Sequence, residues 1–185
     1  MALSRERIAD ELVKLLALPD PAATLALMIA RGILRPVLPE MEEAERLRAL
    51  IAAEAEGGFE PDAIRRLSSL LPRDPDAAAK IATRLKLSNK ARKRIGLAAE
   101  TDLGENPQAL AYWIGAESAA DRLLLAGRTE DAAALIEWPV PRLPISGDPV
   151  ALDRLQRPRH QRPLGHAALD QLAAADRQSR HRPLD

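Results

Sequence analysis

"PRDPDAAAKIATRLKLSNKARKRIGLAAE" runs from Pro72 to Glu100, and its pattern sets how the rest of the chain is read. It contains two helices back to back. Asp74 or Asp76 can cap the first, because a carboxylate there accepts the N–H groups that an α-helix leaves open at its start. Ser88 can cap the second in the same way. Ile81 and Leu85, then Ile95 and Ala98, recur at helical spacing and give each helix one apolar face. Nothing in the chain resembles a run of Val, Ile and Thr that would make strands.

The same grammar extends in both directions. Ser4 is a candidate N-cap, with Glu6 in the first turn, where the helix dipole favours an anion. Ile8, Leu12, Leu15 and Leu16 share a face behind it. Pro19 and Pro21 break that helix, and Ala22 to Arg31 forms the next, with Gly32 as its stop. Met41 to Glu54 reads as a charged amphipathic helix ended by Gly57 and Gly58. Pro61 starts another that stops before Pro72. Asn106 caps a helix with Pro107 at its first position and Gly115 at its end. Glu117 to Ala126 and Thr129 to Glu137 complete the set. About nine short helices predict an all-α array around one core. Trp113, beside Tyr112 in an apolar helix, is expected to pack inside it.

The chain has 185 residues, 46% of them hydrophobic, but only one Phe, one Tyr and two Trp, so Leu, Ala and Ile must do the packing. The absence of Cys excludes disulfides and thiolate metal sites. No apolar run reaches the roughly 18 residues of a membrane span, and no signal-peptide pattern opens the chain. A cytoplasmic protein without a membrane partner is therefore expected. Between Pro141 and Asp185 there are six Pro, eight Arg, all three His and no Lys. This predicts a helical region over 1–145 and a divergent, largely disordered tail over 146–185. The Arg/Pro/His bias of that tail suggests an out-of-frame reading of GC-rich DNA.

The formal net charge is zero, yet the charges are segregated. From Glu40 to Asp62 there are eight acids against Arg46 and Arg48. From Ala77 to Ala99 there are seven bases and no acid: Lys80, Arg84, Lys86, Lys90, Arg92, Lys93 and Arg94. Lys90 and Arg94 stand one turn apart with Lys93 beside both, and like charges so close destabilise a helix. Such a run suits a polyanion whose counterions are released on binding. A solvated face neutralised by the acidic stretch is the other reading, and charge alone leaves both open. No catalytic constellation is found. Arg73 to Asp76 offers two carboxylates, but at a helix start, where Asp is ordinary. His160, His166 and His181 lie in the tail without ligand spacing, so no metal site is expected.

"LSRERIADELVKLL", Leu3 to Leu16, resembles the neck motif of bacterial CCA-adding tRNA nucleotidyltransferases and their poly(A) polymerase relatives. Ser4, Glu6, Arg7, Ile8, Glu11, Leu12, Lys14, Leu15 and Leu16 carry the resemblance. Leu27 to Glu40, Arg84 to Ile95 and Trp138 to Gly147 are similar to later segments of that family, in family order; beyond Gly147 the chain departs from it. The resemblance implies a neck-and-body fragment whose α/β catalytic head, with its metal-binding aspartates, is absent. Ser4, Arg7 and Glu11 would support the neck, with Arg7 and Glu11 close enough to pair. The seven bases would hold tRNA by its backbone. Magnesium and CTP or ATP would belong to the complete enzyme, so this chain alone is expected to be inactive, without catalytic residues or a cofactor. It would serve tRNA 3′-end processing only beside a separate catalytic head chain. A helical protein-interaction module without RNA binding is the alternative.

Overall fold

The computed structural model describes residues 5–139, and they form nine helices. In chain order these are α1 (Arg5–Leu16), α2 (Ala22–Ala30), α3 (Glu45–Glu56), α4 (Ala63–Leu70), α5 (Pro75–Arg84), α6 (Asn89–Ala99), α7 (Pro107–Ile114), α8 (Ala116–Leu125) and α9 (Thr129–Ala133). The all-α array is as the periodicity requires. The expected tail over 146–185, with its three histidines, lies outside the described residues, as does Ser4.

Helix starts follow the predicted caps. Asp74 accepts the Ala77 N–H at 2.7 Å, Ser88 accepts that of Ala91, and Asn106 accepts those of Gln108 and Ala109. Two starts differ from expectation. Asp62, rather than Pro61, sets the beginning of α4, because its carboxylate accepts both the Ile64 and Arg65 N–H groups at 2.9 Å. α3 begins at Glu45 rather than Met41. The Met41 N–H instead donates to the Leu38 carbonyl in a turn, which buries Met41 and Ala44 ahead of the helix.

Helix ends are held by arginines. Arg66 donates to the carbonyls of Leu16 at the end of α1 and Leu18 just after it, Arg46 to that of Leu71 after α4, and Arg122 to that of Leu97 in α6. A cation there satisfies orphaned carbonyls and opposes the negative end of the helix dipole.

The apolar side chains gather into two clusters rather than the single core expected. The first joins Leu12, Leu16, Leu25, Leu34 and Leu38 to Leu67, Ile81, Leu85 and Ile95. The second joins Leu50 and Ala53 to Ala111, Ala119, Leu123, Leu124 and Leu135. α3 serves both, with Leu47 in the first and Leu50 in the second. Trp113 is not in either. It stands 59% exposed, edge-on to Tyr112 with ring centroids 5.6 Å apart, because Ala111 takes the inward position of α7. Trp138, at the other end of the described chain, packs against the second cluster instead.

Candidate nucleic-acid interface

The basic run occupies α5, α6 and the turn between them. Three hydrogen bonds close that turn: Leu85 N–H to the Ile81 carbonyl, Lys86 N–H to that of Thr83, and Leu87 N–H to that of Ala82. This pattern needs a left-handed residue just past the helix. After α2, α3 and α8 that residue is Gly32, Gly58 or Gly127; after α5 it is Lys86, at φ 56°. It is the one non-glycine residue with positive φ among those described. A side chain in that conformation costs roughly 1–2 kcal/mol. The Lys86 ammonium lies 2.8 Å from Glu6 Oε1 of α1. Both side chains are more than half exposed, and such pairs contribute only about 0–1 kcal/mol.

The seven predicted bases separate into four groups. Lys80, Lys90 and Lys93 are exposed and pair with no described residue. Arg92 is tied only to neutral groups, Thr83 Oγ1 at 3.3 Å and the Asn89 side chain, which draws it across the cleft between α5 and α6. Ala79, Thr83, Asn89, Arg92 and Lys93 line an open groove there. Arg84 and Lys86 each meet a distant acid. Arg84 grips Glu40 with both terminal nitrogens, at 2.9 and 2.5 Å, and this hydrogen bonding holds the Glu40 carboxyl below the usual carboxylate range. Part of the acidic stretch thus does neutralise part of the basic one.

Arg94 leaves the group altogether, a correction to the expectation that it faces RNA. Only 8% exposed, it turns inward and grips the fully buried Asp121 through Nε and Nη2, and Asp62 and Glu117 through Nη1. Burial works against its charge, but Asp121 and Asp62 outweigh burial and raise its pKa. Burial likewise pushes the Asp62 carboxyl up, yet the Arg65 N–H and the Arg94 charge prevail and hold it below its ordinary value.

Arg94 is one end of a charged seam. Arg65 joins Asp121 at 2.8 Å to Glu54 at 2.9 Å, and Arg66 joins Glu54 at 2.7 Å. Three arginines thus face Glu54, Asp62 and Asp121. α4 and α6 bring the arginines from the side of the first apolar cluster, and α8 brings Asp121 from the second. Glu54, Arg65, Arg66 and Asp121 were not expected from the sequence to act together. A signal existed for Glu54: it falls four residues after Leu50 and seven after Leu47, on the apolar stripe of α3.

No group of three His, Cys, Asp or Glu among the described residues could hold a metal ion. No described helix is long and apolar enough to cross a membrane. Of the neck residues, Glu11 pairs with Lys14 at 2.8 Å on the outer face of α1 and Arg7 is exposed. Residues 1–45 match a family model described as "Probable RNA and SrmB- binding site of polymerase A". The segment from α1 to the start of α3 is thus related to the RNA-binding domain of the poly(A) polymerase and CCA-adding family. Neither the curated proteins nor the solved structures include a match to the chain.

Proposed function

We propose that the chain, which opens with a segment related to the RNA-binding part of polymerase A, holds tRNA by its phosphate backbone on the α5–α6 hairpin. One observation carries the reading. The exposed cations Lys80, Lys90 and Lys93 stand with Arg92 on one hairpin, and ion pairs from Glu6 and Glu40 of the matched segment fasten that hairpin. Exposed lysines beside an open groove suit A-form RNA, which proteins recognise by shape and backbone rather than by base edges. Arg94 takes no part in contact, and Arg84 and Lys86 take part by exchanging a carboxylate for a phosphate. In this reading the chain serves tRNA 3′-end processing in the cytoplasm. Nucleotide addition, with magnesium and CTP or ATP, belongs to a catalytic head with which the chain works.

The test is fluorescence anisotropy of the full chain with a tRNA transcript lacking its CCA end, across a salt series. Affinity should fall steeply with salt. Changing both Lys90 and Lys93 to Ala should weaken binding and lower the log–log salt slope by about one per lysine. A helical protein that shows no binding at low salt would end the RNA reading.

A second reading rests on exposed apolar side chains. Leu18, Leu27 and Ile33 are at least half exposed, and all fall within the matched segment. The description of that family couples RNA binding with SrmB binding, and exposed apolar side chains in the matched segment suit a protein partner. That reading keeps the alternative of a helical interaction module, and RNA binding separates the two.

A further inference from the structure

We infer that Lys86 is a phosphate contact kept at the apex of the hairpin against the preference of the backbone, and that Glu6 occupies its ammonium until RNA displaces it. The inference rests on the RNA-binding reading above and assigns two residues within it. Four helix ends share the same left-handed stop, and three of them use glycine. The hydrogen bonds of the α5 turn are all made by main-chain groups, so nothing in the turn itself calls for lysine. Nor does the dipole of α5, because Arg84 already stands in its last turn. The ion pair with Glu6 is exposed on both sides and screened by salt, too weak to offset the strained conformation.

What lysine provides there is an exposed charge in the turn of the basic hairpin, between Arg84 on one helix and Lys90 on the next. Glu6 makes the same kind of contact with that ammonium as a phosphate oxygen would. Bound RNA would therefore replace the carboxylate one for one, and α1 would release the hairpin apex as it does so. Stability and RNA affinity then pull in opposite directions at position 86, which a merely structural lysine would not produce.

The experiment compares wild type, Lys86→Gly, Glu6→Gln and the Lys90→Ala/Lys93→Ala pair by thermal melting and by anisotropy with the same tRNA transcript. Lys86→Gly should melt about 2–4 °C higher, bind several-fold more weakly and lose about one from the salt slope. Glu6→Gln should bind more tightly than wild type. If Lys86→Gly keeps wild-type affinity and slope while the Lys90/Lys93 variant loses them, the inference is overturned and RNA binding stands. If Lys86→Gly melts lower than wild type, the claim of a strained position is overturned. If wild type does not bind the transcript, both fall together.

Discussion

Lys93 and Arg94 are neighbours in sequence and opposites in the molecule. Lys93 lies on the rim of the α5–α6 groove, exposed and without a described ion partner. Arg94 is buried in the seam, ringed by Asp62, Glu117 and Asp121. A rotation of about 100° around one helix separates a charge available to a ligand from a charge sealed into the protein. Counting charges in a window cannot distinguish the two. The distinction is made by an acid 27 residues downstream, on a helix that packs against α6.

The sharpest way to break this contrast is to remove the acid. Asp121→Ala removes the buried carboxylate that Arg65 and Arg94 share, leaving Arg65 only Glu54 and Arg94 only Asp62 and Glu117, and should cost about 3–5 kcal/mol in chemical denaturation. A loss under about 1 kcal/mol would mean that the seam is not sealed as described. Next comes Leu16→Ala, which empties a fully buried position in the first cluster and should cost about 2–5 kcal/mol.

Acid pH probes the seam more gently at Asp62, and with it the tie between Glu40 and Arg84 on the hairpin. The Asp62 and Glu40 carboxyls are held below their ordinary values in the folded chain. Their contribution is complete above the unfolded pKa of about 4 and is lost as pH falls through the lower folded values. Melting temperature should therefore be level from about pH 7 to 5 and decline below about pH 4. Asp62→Asn, which retains an oxygen for the cap of α4, should shrink that decline. An unchanged acid limb would dissociate Asp62 from the effect.

At the exposed lysines of α6 the stability effects are the smallest. Changing Lys90 and Lys93 to Ala should move stability by no more than about 0.5 kcal/mol. It should still lower RNA affinity at every salt concentration below the binding midpoint. The two regions thus respond to different measurements: the seam to denaturant and acid, the exposed lysines of the hairpin to salt and RNA.

The caps and the apolar spacings made most of the fold legible in the sequence. Asp74, Ser88 and Asn106 are local signals, each within three residues of the N–H it satisfies. So are Gly32 and Gly115 at helix ends. The seam was not legible because its pairs span 11 to 56 residues, and no local pattern says which Arg will find which carboxylate. Trp113 was misjudged for a related reason. Its helix is apolar on nearly every side, so periodicity could not say which side faces in. The basic hairpin itself was legible as a run, but the partition of its members into free, paired and buried came only with the packing of α1, α8 and the loop carrying Glu40.

The family match covers residues 1–45, but the first apolar cluster extends beyond it. Leu16, Leu25 and Leu38 interlock with Leu67, Ile81 and Ile95 from α4, α5 and α6, and Arg66 fastens the end of α1 from α4. Residues 1–45 are therefore a unit of ancestry rather than a unit of cooperativity. In hydrogen exchange, the inner amides of α1 and α2 should open together with those of α4 and α6, at one common free energy. An excised 1–45 peptide would carry the family's signature and none of its folded structure.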